Sequence, residues 1–155
     1  MKKKYFIFIL CLFLVATIIV KVKTNDAMNA NDYVSLGNEM GVKGNHFEAS
    51  RVFISAINID PYYIPAYLGL GIAYGNLDKN AEAIEVFKEG IKLDKRYAFV
   101  PQMQMSIASI AYEKMNDDKM AIQYIKKALQ SYTDLGNHTG VAMAAHKLKQ
   151  ISPGS

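Results

Sequence analysis

One recurrence at a fixed spacing constrains this chain more than anything else in it. Tyr33-Val-Ser-Leu36-Gly37-Asn-Glu-Met40 returns 34 residues later as Tyr67-Leu-Gly-Leu70-Gly71-Ile-Ala-Tyr74. Ala49-Ser-Arg-Val-Phe53-Ile-Ser-Ala56-Ile57 returns at the same spacing as Ala83-Ile-Glu-Val-Phe87-Lys-Glu-Gly90-Ile91. A third copy follows a slip of four residues: Tyr112 and Ala121-Ile-Gln-Tyr-Ile125-Lys-Lys-Ala128-Leu129 match the second unit at a spacing of 38. Periods of this length belong to stacked supersecondary units, none of which can bury its apolar face alone.

Within each unit the pattern is helical. Tyr33, Leu36, Gly37 and Met40 share one helix face, and Phe47, Ala49, Val52, Phe53, Ala56 and Ile57 make a second. Gly44-Asn45 separates the two, because glycine supplies the dihedrals of a short turn. Leu77-Asp78-Lys79-Asn80 and Met115-Asn116-Asp117 break the later units in the same way, with Asp117-Asp118 suited to capping a helix start. Pro65 and Pro101 fall near helix starts, where a missing amide costs nothing. Gly37 and Gly71, opposite Ala49, Ala56 and Ala83, let paired helices approach closely, and Phe53 and Phe87 fill the space toward the neighbouring unit.

These residues resemble the tetratricopeptide repeat, whose signature runs aromatic, Leu-Gly, Tyr, then Ala, Phe, Ala and Pro. Asp60-Pro61 supplies the closing proline of the first unit. The resemblance covers about residues 30–135 and implies an all-α solenoid of three helical hairpins. The third unit departs from it, with Met105, Ala108 and Ser109 where the family has an aromatic and Leu-Gly. Extra residues around Arg96–Gln102 predict a longer connection there, and its second helix reads on to Leu135. Leu135-Gly136-Asn137 then turns the chain into a last helix over about Thr139–Ile151. Val141, Ala142, Ala145 and Leu148 form its apolar side, fit to cap the stack.

Ahead of the repeats, residues 5–20 hold sixteen residues without a charge, preceded by Lys2–Lys4 and followed by Lys21 and Lys23. With Val22 counted and Lys21 snorkelling, the run approaches the length of a membrane-spanning helix. No Ala-x-Ala cleavage site follows it, and Leu10 ahead of Cys11 does not fit a lipoprotein signal. Residues 5–22 therefore read as an uncleaved anchor in preference to a cleaved signal. The lysine balance keeps the amino terminus cytoplasmic and sends the domain across, to the periplasm in a Gram-negative bacterium. The expected organisation is an anchor over residues 1–23, a tether over 24–30, a solenoid over 31–151 and a tail over 152–155.

Charge and chemistry narrow the function. Five of the 18 basic residues lie in residues 1–23, which leaves 13 against 14 acidic ones over residues 24–155, a net charge of −1. A polyanion needs cations massed on the folded part, so nucleic acid is not an expected partner. The single cysteine excludes an internal disulfide and a Cys-based zinc site. His46 reads as a turn residue, and His138 and His146 lie about 12 Å apart along a helix, too far for one metal. With no phosphate loop, HExxH or GxSxG, the reading is of a protein that is not an enzyme and takes no cofactor.

What remains is recognition. The resemblance implies that the first helix of each hairpin lines a groove for a partner's peptide or helix. By register that surface holds Asn31, Val34, Asn38 and Val42, then Leu68, Ile72 and Asn76, then Ser106, Ile110, Glu113 and Lys114. Some family members grip a terminal carboxylate with basic residues in this groove; Val34 and Leu68 stand where such cations would serve, against that mode. Val34, Leu68, Ile72 and Ile110 make an apolar trough suited to an amphipathic helix or apolar loop of another protein. The function expected is a membrane-tethered scaffold or adaptor that helps assemble envelope complexes. The alternative is a permanent structural subunit of a larger membrane complex.

Overall fold

The computed structural model describes residues 28–152, and the expected anchor over residues 5–22 lies outside them. Seven helices follow one another: α1 (Ala30–Val42), α2 (His46–Ile59), α3 (Ile64–Asn76), α4 (Asn80–Leu93), α5 (Val100–Met115), α6 (Asp118–Asp134) and α7 (His138–Ile151). Among the described residues no helix is long and apolar enough to cross a membrane.

Local chemistry sets the boundaries. Asn29 Oδ1 accepts from the Asn31 and Asp32 amides, and Asp32 Oδ2 accepts from the Asn29 amide at 2.9 Å. This reciprocal cap starts α1 at Ala30, one residue before the expected solenoid boundary. Each tight turn uses one residue of positive φ: Gly44 (81°), Asp78 (56°), Asn116 (51°) and Gly136 (65°). Asp117 caps α6 as expected, accepting from the Met120 amide at 2.8 Å. Asn137 does the same for α7 through the Gly140 amide at 2.9 Å.

Short links leave consecutive helices antiparallel. They pack as three hairpins, α1 on α2, α3 on α4 and α5 on α6, with α7 laid on α6. α3 also touches α1 and α5, so the odd-numbered helices share one side of the stack. The core runs through it as three clusters in series. Val34, Ala49, Phe53 and Leu70 join α1, α2 and α3; Leu68, Ile84, Phe87, Met103 and Ile107 join α3, α4 and α5; Ala108, Ile125 and Ala144 join α5, α6 and α7. The link between α4 and α5 (residues 94–99) is two residues longer than that between α2 and α3 (residues 60–63). α5 itself begins further ahead of its core register, which together accounts for the slip of four.

The glycines sit at close approaches as expected, but the nearest atoms belong to phenylalanine rings and not to the alanines expected opposite them. A β-carbon on Gly37 would lie 2.7 Å from the Phe53 ring, and one on Gly71 would overlap the Phe87 ring. Gly69, in the next hairpin, is pressed against Phe53 from the other side. Phe53 thus sits between two glycines of different units.

Two expectations about faces are corrected. Phe47 is 56% exposed, because it lies two residues before Ala49 and so about 200° around the helix from it. On α7 the buried residues are Gly140 and Ala144, with Leu148 and Ile151 packed beside them; Ala142 and Ala145 are exposed and Val141 is half-buried. The register turns because Tyr132 of α6 lies flat on Gly140, where no β-carbon would fit. Aligned on Met103 and Ile107, whose places Gly140 and Ala144 take, α7 puts exposed His146 where α1, α3 and α5 carry Gly37, Gly71 and Ser109. A further helix could not approach α7 as closely as α2 approaches α1.

Candidate functional site

Two hollows open along the odd-numbered helices. The smaller, of about 310 Å³, lies between α1 and α3, walled by Asn38, Val42 and His46. The larger, of about 540 Å³, lies between α3 and α5 and reaches α6 and α7 through Tyr132 and Met143. Ile72 and Asn76 of α3 line both, so the hollows meet there to form one groove.

Eight of the eleven residues expected on this surface line it. Asn38 and Val42 stand in the first hollow. Ile72 and Asn76 stand at the junction, and Ser106, Ile110, Glu113 and Lys114 stand in the second. The other three do not. Asn31 is exposed at the start of α1, where its Oδ1 accepts from the Tyr63 hydroxyl at 2.8 Å. Val34 and Leu68 were expected to be partly exposed in the trough and are instead buried, at 7% and 9% exposure. Val34 packs into the cluster around Phe53 and Leu70, and Leu68 into that around Phe87 and Ile107. A residue one turn earlier on the inner helix faces the junction between hairpins, which a stacked unit covers. The apolar floor belongs to Ile72, 42% exposed, and to half-buried Ile110.

The groove also contains residues that sequence reasoning missed. Met105 and Met143 line the larger hollow, and methionine's unbranched thioether adapts to varied partners. Tyr132 and Asn80 line it too. Burial holds the Tyr132 phenol above its ordinary pKa. The Asn80 Oδ1 is buried and accepts no hydrogen bond from the described residues. His46, expected in a turn, is the first residue of α2 and lines the smaller hollow. Met105 had a signal, since it replaces the aromatic of earlier units. Met143 had none, because it lies off the side of α7 that reads as apolar.

The charged side chains of the groove are tied to its rim. Lys114 Nζ donates to Asp78 Oδ1 at 2.8 Å, which raises the lysine pKa. Lys147 Nζ meets Glu113 Oε1 at 3.2 Å and lies over the Tyr112 ring. Both pairs are internally neutralised, so the floor between them is uncharged. Among the described residues no group of three or more His, Cys, Asp or Glu side chains is placed to hold a metal ion.

The sequence model of the tetratricopeptide repeat matches residues 64–97 and 102–135, at the 38-residue spacing of the second and third units. Over these two segments the chain is similar to the tetratricopeptide repeat. Solved structures share the repeat stack. PcrH in complex with the chaperone binding region of PopD is 18% identical, with 79% of this chain and 90% of that one covered and a TM-score of 0.72. A T3SS complex from Aeromonas hydrophila is 19% identical, with 87% of each chain covered and a TM-score of 0.72. The first repeat domain of Spaghetti, bound to an HSP90 peptide, is 20% identical over 83% of this chain and 94% of that one, with a TM-score of 0.68. At such identities the likeness is one of fold. In sequence, a Giardia intestinalis UDP-N-acetylglucosamine–peptide N-acetylglucosaminyltransferase is 26% identical over 126 residues, 78% of this chain. The repeat chain spans only 8% of that protein's length.

Proposed function

We propose that this protein is a non-catalytic adaptor whose groove holds an apolar helix or loop of another envelope protein, helping to assemble or stabilise a complex. The observation that carries this reading is the uncharged floor built around Ile72 and Ile110, with adaptable methionines beside it. An apolar side chain entering such a hollow leaves water without stranding a charge. Support comes from repeat proteins of the same fold that were solved with a chaperone binding region or a peptide. The apolar run over residues 5–22 completes the reading: it tethers the adaptor to the membrane with the amino terminus cytoplasmic and the repeats outside.

A photo-crosslinking side chain at Ile72 or Ile110 of the full chain, expressed in its host, tests the groove. One discrete adduct is expected from both positions, abolished by a second substitution, Met105→Glu, and absent when the crosslinker replaces exposed Arg51 or Lys126. Equal adducts from both faces would overturn the groove. Intact-mass measurement of the membrane fraction tests the tether, and a mature chain beginning near Asp26–Asn31 would overturn it.

A further inference from the structure

The stack has two edges, and the chain enters on only one of them. Because consecutive helices are antiparallel, the starts of α1, α3, α5 and α7 lie on the same edge as the ends of α2, α4 and α6. The hydrogen bond from the Tyr63 hydroxyl to Asn31 joins the starts of α3 and α1 on this edge. On the opposite edge the Lys114–Asp78 pair joins the end of α5 to the turn after α3. The tether reaches the first edge at Asn29, the cap of α1.

Large apolar side chains stand exposed along that entry edge. Tyr62 in the first inter-hairpin link is 78% exposed, and Phe99 in the second is 38% exposed. Ile59 and Leu135, at the ends of α2 and α6, are also exposed. The aspartates of the two links bond their own backbones at the surface: Asp60 accepts from the Tyr62 amide and Asp94 from the Arg96 amide, each at 2.9 Å. Exposed apolar side chains occur on the far edge too, Val42 and Met115 among them, so position rather than composition must choose between the edges. The tether chooses. From Lys23 to Met28 it spans at most about 20 Å when fully extended. The thirteen residues of α1 put the far edge about another 20 Å away.

We propose that the entry edge, with Tyr62 and Phe99 foremost, rests on the lipid bilayer surface and holds the groove at a fixed height above it. Tyrosine favours the headgroup region, where its apolar ring and polar tip are both accommodated, and the phenylalanine ring adds apolar area buried at the headgroup–acyl boundary. This rests on the reading of residues 5–22 as an anchor. The docked edge orients the inner helices along the membrane normal, so a partner reaches the groove from the side.

The test uses the full chain with Cys11→Ser, placed in nanodiscs of phosphatidylcholine and phosphatidylglycerol. A fluorophore is attached through Tyr62→Cys or Phe99→Cys on the entry edge, or Val42→Cys or Met115→Cys on the far edge, and is quenched by lipids spin-labelled near the headgroup. Leu135→Cys replaces Phe99→Cys if the latter does not melt cooperatively. At least a twofold loss of fluorescence is expected on the entry edge and none on the far edge. Labelled chains inside the discs with no quenching on the entry edge, or equal quenching on both edges, overturn the placement alone. Chains that stay out of the discs overturn the anchor and the placement together.

Discussion

Phe53 and Gly69 belong to neighbouring hairpins and share one volume: a β-carbon on the glycine would overlap the phenylalanine ring. The contact seals the first hairpin to the second. Gly69→Ala should destabilise by about 1–3 kcal/mol, because overpacking outweighs the better helix propensity of alanine. Phe53→Ala should cost about 3–5 kcal/mol through the cavity it leaves. The double variant should cost less than the sum, since the new methyl group enters that cavity. Urea melts of the four proteins measure the coupling, and strict additivity would contradict the packing.

Leu68 and Ile72 lie one helical turn apart and should respond oppositely to the same substitution. Leu68→Glu places a carboxylate inside the cluster around Phe87 and Ile107. Several kcal/mol of destabilisation are expected, seen as loss of the cooperative thermal transition. Ile72→Glu, on the groove floor, should leave stability within about 0.5 kcal/mol of the parent while abolishing the crosslinked adduct from Ile110.

The turns offer a cleaner measurement of backbone strain. Gly44 and Gly136 have φ of 81° and 65°, and a β-carbon on either would meet nothing within 4 Å. Gly44→Ala and Gly136→Ala should each cost about 1–2 kcal/mol, the penalty of a left-handed residue with a side chain. Asn116→Gly, at φ 51°, should stabilise by a few tenths of a kcal/mol, roughly the relief at a position asparagine already tolerates. Chemical denaturation of the three variants checks signs and order.

Alkaline pH should weaken the carboxyl-terminal hairpin through Tyr132. Burial raises its phenol pKa above the ordinary 10.0. The folded chain then holds a proton that the unfolded chain releases. That contribution is complete below pH 10.0 and is lost as the pH rises through the higher folded value. Tyr132→Phe should flatten this part of the stability profile between pH 9 and 11, roughly the range in which tyrosine titrates. Tyr67, also raised by burial with Glu89 and Asp60 adding, keeps the remainder. Unfolding curves across that range provide the check.

The recurrence made the hairpins legible, because Gly37, Gly71, Phe53 and Phe87 meet within a unit and a period locates them directly. Turn positions were legible for a local reason, the glycine or polar residue that tolerates positive φ. Burial between units was not. Val34 and Leu68 look equivalent to Ile72 on an inner helix until the next hairpin is laid over them, and that packing depends on the tilt between units. The third unit hid its packing differently. Ile125 and Ser109 stand where Phe87 and Gly71 stand in the second, so a smaller core residue is matched by a larger one opposite it, and neither resembles the signature alone. Met143 entered the groove through the register of α7, which the Tyr132–Gly140 contact sets from outside that helix.

That contact also gives the groove a direction. Tyr132 and Met143 wall its α7 end, whereas α1 has no helix stacked before it among the described residues. Among the described residues the trough is walled at its α7 end and has no such wall at its α1 end. A segment lying in it would meet Met143 at one end and Val42 at the other. For the proposed adaptor, the two ends of the groove therefore present a bound segment with different surroundings.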